Sequence, residues 1–343
     1  MAVTIKDVAR AANVSVASVS RALNGNANVT DETRQLVLET ARRLRYIPHS
    51  GARSLSTRRT DTIGVVLPDL YGEFFSELIR GIDVAARRRG LHLLVSSSHG
   101  DAGEAACALR AMSGRVDGLI IMSPHVDADF LADNLPDVLP IVLLNTHVSV
   151  EQYSSLTVDN YGGAASMVQH LVEMGHRHIM MIAGPENNFE AAERLRGFRE
   201  TLARLVPAFD PHEVTVLRGD FTEESGYRAG HQLQALKRLP DAVFAANDMM
   251  AIGCLFALGE AGLQVPRDIA LVGFDDIPTA RFVTPPLTTV RVRITDMGSR
   301  ALESLAFQIE NPEGTRNSTQ VLQTELVVRR SCGSPRVAGR SAV

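Results

Sequence analysis

The sequence predicts a small all-α helix-turn-helix head followed by a two-lobed α/β body. Residues 4–24 read TIKDVARAANVSVASVSRALN, which is two short helical patterns with a turn between them. From residue 62 onward, short apolar runs alternate with helical stretches, a pattern typical of parallel strands buried on both faces. This alternating series occurs twice along the chain, so we expect two lobes of similar architecture.

The first helix is predicted to begin after Thr4. Asp7 stands three residues later, as in a capping box, and apolar residues then recur at helical spacing. Residues 12–14 (Ala-Asn-Val) interrupt the pattern with a residue that tolerates tight turns. Ser15 can cap a second helix that extends to about residue 24.

The second helix carries short outward side chains and one long cation. In a helix-turn-helix, the second helix lies in the major groove and reads bases near its N-terminus. The candidate readers are Ser15, Val16, Ala17, Ser18 and Arg21. Arg21 suits a guanine edge or a phosphate. Two short helices with a turn also occur in domains that never bind DNA, so the charge of the head has to decide.

The net charge of −4 is distributed unevenly along the chain. Residues 1–60 hold ten Lys and Arg against four Asp and Glu, a balance of +6, which leaves 25 against 35, or −10, for the rest. Phosphate contacts supply most of the sequence-independent affinity of proteins for DNA. A basic head on an acidic body therefore favours nucleic-acid binding over a merely solvated basic surface.

A third helix, capped by Thr30, is predicted over residues 31–46 and completes a small core. Its predicted buried side consists of Leu36, Val37, Thr40 and Leu44. Pro48 ends this unit, and the basic segment 49–60 (HSGARSLSTRRT) follows. That segment is either a plain linker or a helix that forms only on DNA, where Leu55 would wedge between base steps of the minor groove.

The body contains two series of predicted strands. The first series is TIGVVLPD, LHLLVSSS, GLIIMSP and PIVLLN, and the second is HIMMIAGP, VTVLRGD, AVFAAND and IALVGFDD. Helices are expected near residues 189–206, 222–238, 248–262 and 294–310, and the late strand LTTVRVR implies that the chain crosses between the lobes more than once. Ligands of open α/β sheets bind at the carboxyl ends of the strands.

Polar groups and one aromatic residue follow the predicted strands. They are Pro68-Asp69, Asn145, Gly184-Pro185, Gly219-Asp220-Phe221, Asn247-Asp248 and Asp275-Asp276. Any one Asp or Asn here is more often a helix cap than a ligand group. As a set, they predict a cleft suited to a small polyol.

Composition excludes several other classes of protein. No apolar run reaches the length of about 18 residues of a membrane helix, and the N-terminus lacks the apolar region of a signal peptide, so we expect a cytoplasmic protein. The three cysteines are far apart and are predicted to be reduced core or tail thiols. Catalytic and zinc motifs are missing, and the histidines of segment 176–178 are assigned to a surface turn. We therefore predict neither an enzyme nor a cofactor.

At residues 3 to about 331 the chain resembles the LacI/GalR family of bacterial transcriptional repressors. Besides the head, the segments that carry the resemblance are VDGLIIMSP, GHRHI, RLRGF, GDFTEESGYRA, FAANDMMAIG, VPRDIALVGFDD and PPLTTVRV, in family order. The resemblance implies a periplasmic-binding-protein-like core, a homodimer on a near-palindromic operator, and a hinge helix. It also implies Val16, Ala17 and Arg21 as base readers and Leu55 as the wedge.

The expected organisation follows from this resemblance. The head covers residues 1–48, the hinge or linker 49–60, the core 61–331 and a disordered tail 332–343. Lobe 1 is expected to hold residues 61–160 and 291–320, and lobe 2 residues 161–290 and 321–331. The set of DNA-contacting residues is completed by Thr4, Ser20, Asn28 and Arg53.

For the effector cleft, the matching positions are Phe74, Phe75, Asn145, Arg194, Phe221, Asn247 and Asp275. Arg194, Asn247 and Asp275 resemble a sugar-binding set, and Phe221 is expected to stack on the sugar alone because the chain has no Trp. Asn188 and the acidic Glu190 differ from the purine-binding relative, so a nucleobase effector is not expected.

The predicted function is a homodimeric, sequence-specific repressor of carbohydrate-utilisation genes, switched by a small sugar. A dual regulator or activator, or a repressor that answers to a non-sugar metabolite, remains the alternative. A secreted sugar-binding protein would share the two lobes but needs a signal peptide and has no DNA-binding head.

Overall fold

The computed structural model describes residues 3–23, 28–46, 59–123, 128–135, 139–146, 153–206, 216–312 and 317–333. Their contacts divide the chain into two compact units. The head unit comprises residues 1–62 with 115–117, and the body unit comprises residues 63–114 and 118–343. Within the described ranges, every helix is too short or too polar to cross a membrane.

The head unit contains three helices around a small apolar core. They are α1 (Ile5–Ala11), α2 (Val16–Leu23) and α3 (Asp31–Arg43). Val8, Val19 and Val37, one from each helix, are fully buried together. The predicted turn is confirmed, because Asn13 has a φ of 51° between α1 and α2.

The predicted caps of the three head helices are present. The Thr4 backbone N–H donates to the Asp7 carboxylate at 2.9 Å, and Ser15 Oγ accepts the Ser18 N–H at 3.0 Å. Thr30 Oγ1 accepts the N–H of Thr33. One packing prediction was wrong. Leu36 is 46% exposed, because Ala41 takes its place on the buried side of α3.

Lobe 1 of the body is built on a six-stranded sheet with the order β11-β5-β4-β3-β1-β2. Its strands are β1 (Thr62–Leu67), β2 (His92–Ser97), β3 (Gly118–Ile121), β4 (Ile141–Leu144), β5 (Ser154–Val158) and β11 (Thr319–Leu322). Its helices are α4 (Glu73–Arg88), α5 (Ala102–Met112), α6 (Ala128–Asn134) and α11 (Ile294–Glu310). The pairs β1-β3, β3-β4, β4-β5 and β5-β11 are parallel.

Lobe 2 is built on a parallel four-stranded sheet with the order β7-β6-β8-β9. Its strands are β6 (Ile179–Ala183), β7 (Val216–Arg218), β8 (Ala242–Ala245) and β9 (Ala270–Val272). Its helices are α7 (Asn160–Glu173), α8 (Phe189–Leu205), α9 (Glu223–Gln234) and α10 (Asp248–Glu260), with a 3-10 turn at Pro278–Arg281. Strands β6 and β8 are buried throughout, as their apolar runs predict.

The chain passes between the two lobes three times. It leaves lobe 1 after β5, and it returns after β10 (Thr289–Arg291) to form α11 against α4. Residues 319–322 then add β11 to the sheet of lobe 1, and β12 (Glu325–Val327) pairs antiparallel with β10. The prediction of more than one crossing is confirmed.

Two helix pairs of the body pack through glycines. In lobe 2, a Cβ on Gly253 of α10 would lie 1.9 Å from the Glu223 carbonyl oxygen of α9. In lobe 1, a Cβ on Gly298 of α11 would lie 2.4 Å from the Leu78 carbonyl oxygen of α4. These helix backbones therefore touch, and any larger residue would push them apart.

The histidine segment 176–178 is only partly a surface turn. His176 is buried, and its Nε2 lies 3.1 Å from the Cys332 carbonyl oxygen, so this part of the prediction was wrong. All three cysteines are unbridged, with Cys254 and Cys332 buried and Cys107 exposed on α5. The expected disordered tail, residues 332–343, was wrong at its start, because Cys332 is fully buried and its Sγ accepts a hydrogen bond from Thr288 at 3.3 Å. Residues 334–343 lie outside the described residues.

Candidate functional site

The outward face of α2 carries the predicted base readers. Ser15, Val16, Ala17 and Arg21 are exposed, and Val16 has 41% of its surface accessible although it is apolar. Val19 and Ala22, on the opposite face, are buried in the head core. The small side chains let the helix backbone approach a groove closely, while Arg21 supplies the long hydrogen-bond donor.

The remaining DNA-contacting candidates divide by position. Thr4 and Asn28 are exposed, and Ser18 and Ser20 are half-buried on α2. Some of the DNA-contacting candidates also have a local structural role, because Thr4 and Ser15 cap the starts of α1 and α2. Arg53 and Leu55 lie outside the described residues, as does the choice between linker and hinge helix.

A cleft of about 530 Å³ lies between the two lobes of the body. All seven predicted effector residues line it: Phe74, Phe75, Asn145, Arg194, Phe221, Asn247 and Asp275. Lobe 1 contributes the loops after β1, β2, β3 and β4, and lobe 2 contributes those after β6, β7, β8 and β9. The strand ends therefore converge as parallel sheets predict.

Arg194 forms the centre of the polar end of the cleft. It is 4% exposed, and each of its three nitrogens has a partner inside the protein. Nε donates to Asn160 Oδ1 at 2.8 Å, and Nη1 donates to the Ala246 carbonyl oxygen at 2.6 Å. The guanidinium also lies 3.9 Å from the ring centroid of Phe274. Arg194 therefore holds the residues around the cleft together, in addition to being a candidate ligand-binding group.

Asp275 pairs with Arg194 but keeps an acceptor open. Its Oδ1 lies 3.2 Å from Arg194 Nη2, close enough for an ion pair, yet no group of the described residues is aligned to donate a hydrogen bond to that atom. Burial raises the pKa of Asp275 to about 7, which the Arg194 charge counteracts and the Glu190 charge reinforces. A ligand hydroxyl could supply the missing donor.

Glu190 and Asn145 join the two lobes across the polar end. Asn145, at the end of β4, donates from Nδ2 to the Glu190 carboxylate in the first turn of α8. Asn145 Oδ1 is buried and has no hydrogen-bond partner among the described residues. Burial raises the pKa of Glu190, which is 8% exposed. Glu190 was not among the predicted effector residues, although its position in the first helical turn after β6 could have indicated it.

Asn247 is mainly a helix cap. Its Oδ1 accepts the Met250 N–H at 2.9 Å, and its Nδ2 donates to the Phe221 carbonyl oxygen at 2.9 Å. In the predicted strand-end pairs Asn247-Asp248 and Asp275-Asp276, the second residue of each pair does not line the cleft. Asp276 instead binds Arg291 and Arg329, and Asp248 accepts hydrogen bonds within lobe 2.

Several aromatic rings line the cleft besides Phe221, and the stacking of Phe221 on a sugar stays a prediction. Phe74 and Phe75 meet edge to face with ring centroids 5.5 Å apart. Tyr71 and Phe189 also line the cavity, and both were missed because they lie in loops or at a helix start, where no periodicity marks them. The Tyr71 hydroxyl donates to Glu223 of lobe 2 at 3.2 Å, a second contact between the lobes.

The comparisons with known proteins match both units. Residues 4–49 match the model of bacterial regulatory proteins of the lacI family, and residues 168–332 match the periplasmic binding protein-like domain. Catabolite control protein A of Priestia megaterium is 35% identical over 334 residues, which cover 96% of this chain and 99% of that protein. In the part of the chain that the structure describes, no cluster of His, Cys, Asp and Glu could hold a metal ion.

Two solved structures resemble the whole chain. The Lac repressor dimer bound to operator and the anti-inducer ONPF matches with a TM-score of 0.83 at 29% identity, over 97% of this chain and 100% of that one. The complex of the transcriptional regulator CelR with cellobiose matches with a TM-score of 0.69 at 34% identity, over 96% and 99%. With this head, this core and these relatives, the chain belongs to the lacI family of bacterial regulatory proteins and is a DNA-binding transcriptional regulator.

Proposed function

We propose that this regulator is a homodimeric cytoplasmic repressor of carbohydrate-utilisation genes whose operator affinity is switched by a small sugar. The observation that carries the proposal is the cleft, in which open acceptor atoms of Asn145 and Asp275 lie among aromatic rings. Such a combination suits the hydroxyls and the apolar ring face of a sugar. The cellobiose bound by CelR and the operator bound by the Lac repressor support both halves of the proposal.

On the DNA side, α2 is proposed to lie in the major groove. Val16 and Ala17 would touch base edges and thymine methyl groups, and Arg21 would donate to a guanine or a phosphate. A dimer would place two copies of α2 on the half-sites of a near-palindromic operator. From the sequence, Arg53 and Leu55 are proposed to contact the minor groove, with Leu55 as the wedge at the central base step.

On the effector side, the cleft is proposed to act through lobe closure. Asn145 and Tyr71 belong to lobe 1, whereas Glu190 and Glu223 belong to lobe 2, so their hydrogen bonds depend on the angle between the lobes. A sugar that contacts both lobes favours one of these angles by its difference in affinity for the two states. Operator affinity would then change with occupancy of the cleft.

The proposal is tested by fluorescence anisotropy of the full chain on an operator selected from random DNA. We expect a palindromic site, affinity that falls steeply with salt, and a shift in operator affinity with at least one sugar. Asp275→Asn should abolish the shift without weakening operator binding in the absence of sugar. A selected site without dyad symmetry would contradict the homodimer, and a variant with a wild-type sugar midpoint would contradict the assignment of the cleft.

A further inference from the structure

The charge of the cleft can be derived from the partners of Arg194, the one arginine among the described residues that line it. Arg194 is the residue in the lining that would ordinarily attract a phosphate or a carboxylate. Its charge is already met by Asp275 at 3.2 Å, and its Nε and Nη1 donate to Asn160 and Ala246. Glu190, buried beside it, adds a second carboxyl group. An anionic ligand would therefore meet two carboxyl groups and a cation that is already paired.

Helix N-termini are the other natural anion sites in such a cleft, because their backbone N–H groups are unpaired. Four helices begin at the lining: α4, α8, α9 and α10. Each has an acidic residue of its own in the first turn, namely Glu73, Glu190, Glu223 with Glu224, and Asp248. The Glu73, Glu223 and Glu224 carboxylates offset the positive ends of the α4 and α9 dipoles. At the starts of α8 and α10, the side chains of Asn188 and Asn247 already accept backbone N–H groups, so these helices do not favour a bound anion.

The open polar atoms have the opposite preference. Asn145 Oδ1 is a buried acceptor without a hydrogen-bond partner in the described parts of the chain, and Asp275 Oδ1 has only the ion-pair contact with Arg194 Nη2 at 3.2 Å. Only 4% of the surface of Asp275 is exposed. A buried acceptor without a donor is unfavourable, so these atoms select a ligand that donates hydrogen bonds. Hydroxyl groups donate at no cost in charge, whereas phosphate and carboxylate oxygens only accept.

The cleft is also large for one sugar ring. Even if each non-hydrogen atom took the liquid volume of a water molecule, about 30 Å³, the cavity of about 530 Å³ would hold about 18 such atoms. A hexose has only about a dozen non-hydrogen atoms. Aromatic rings lie in both lobes, with Phe74 and Phe75 in lobe 1 and Phe189 and Phe221 in lobe 2. The walls therefore offer apolar surface for more than one ring face.

We propose that the effector is a glycoside larger than a single hexose that carries neither phosphate nor carboxylate. This inference rests on the proposed sugar response and narrows it. Glu190 is the proposed specificity-determining residue, because its carboxyl group stands at the polar end, where a phosphate would otherwise find Arg194.

The test uses the full chain with matched pairs of ligands. Cellobiose, maltose and trehalose are each compared with their 6-phosphates, and glucose with glucose 6-phosphate, by thermal shift and by operator anisotropy. We expect a neutral disaccharide to act, its 6-phosphate to bind at least about tenfold more weakly, and glucose to bind more weakly too, by roughly the same factor. A 6-phosphate or glucose that binds as tightly as the neutral disaccharide would overturn the inference and leave the sugar response intact. If no ligand of the panel acts, the proposed sugar response itself fails.

A pair of variants on α8 tests the role of Glu190. Glu190→Gln removes the ionisable carboxyl group at nearly constant volume, and we expect it to reduce the discrimination against the phosphorylated partner severalfold. Glu193→Gln is the control, because Glu193 pairs with Arg196 on the same helix and does not line this cleft. Equal discrimination in the wild type and in both variants would show that Glu190 does not select the effector.

Discussion

Arg194 Nη2 and Asp275 Oδ1 lie 3.2 Å apart, with only 4% and 6% of their side chains exposed. A buried ion pair of this kind gains little by itself, but the loss of one partner leaves an uncompensated charge in the interior. Here the cation also neutralises part of the field of Glu190 and binds a carbonyl oxygen after β8. Arg194 therefore stabilises lobe 2 whether or not a ligand is bound.

Arg194→Ala is expected to destabilise the body by about 3–5 kcal/mol, because Asp275 and Glu190 lose their shared cation. Chemical denaturation followed by circular dichroism measures this change. Arg196→Ala is the matched control on α8, since the Arg196 side chain is 49% exposed and its ion pairs are worth about 0–1 kcal/mol. Similar losses in the two variants would refute the structural role of Arg194.

Stability is expected to depend on pH through the carboxyl groups of the cleft. Burial raises the pKa of Asp275 to about 7 in the folded protein, whereas the pKa of an aspartate in the unfolded chain is about 4. The folded protein therefore holds a proton that the unfolded chain has lost, so this group lowers the free energy of unfolding as pH rises between these values. Asp275→Asn should make the slope between pH 5 and pH 7 less negative.

The control for this pH dependence is Asp220→Asn in the same cleft. Burial raises the pKa of Asp220, but hydrogen bonds from Thr222 and Ser225 outweigh this effect and leave the pKa below its ordinary value. Its stabilising effect is therefore present above about pH 4 and is lost only below it, outside the window from pH 5 to pH 7. Denaturant titrations at pH 5, 6 and 7 separate the two cases. A slope that stays unchanged in Asp275→Asn would contradict the raised pKa.

Arg21→Ala is expected to weaken binding to the selected operator by roughly 1–3 kcal/mol if Arg21 makes a bidentate base contact. Arg10→Ala removes the same charge from the head, but Arg10 lies on α1 and pairs with Asp7 at 3.6 Å. We therefore expect the control to weaken binding to operator and to scrambled DNA alike and only slightly. If Arg21→Ala also lowers both affinities equally, then Arg21 contacts only phosphate.

Gly253→Ala is expected to destabilise lobe 2 by about 1–3 kcal/mol or more, because the new Cβ would lie 1.9 Å from the Glu223 carbonyl oxygen. Gly259→Ala on the same helix meets nothing within 4 Å, and it should stabilise by about 0.5–1 kcal/mol through helix propensity. Thermal unfolding of the two variants gives the comparison. A neutral Gly253→Ala would show that α9 and α10 can separate without loss.

Sequence patterns predicted the elements with strong periodicity and missed those without it. Strands β6 and β8 were visible as apolar runs, whereas β5 (Ser154–Val158) and β11 (Thr319–Leu322) are short and rich in polar residues. Four positions that line the cleft, Asn145, Phe221, Asn247 and Asp275, were predicted from the carboxyl ends of parallel strands, which converge. Phe74, Phe75 and Arg194 were expected only from the family resemblance. The bond between Asn145 and Glu190 could not be predicted, because it depends on the angle between two lobes that no local pattern encodes.

The last crossing of the chain has a consequence during synthesis. The four strands of the lobe 2 sheet lie between residues 179 and 272. All of them can therefore leave the ribosome and pair while the chain is still being synthesised. The sheet of lobe 1 begins at Thr62 but is complete only when residues 319–322 have been synthesised. Helix α4 likewise stays uncovered until α11 packs against it at Gly298. A nascent chain thus holds an unfinished first lobe until nearly all of it has emerged. Premature termination before residue 294 would leave the face of α4 that packs against α11 uncovered, and chaperones or proteases would meet that surface.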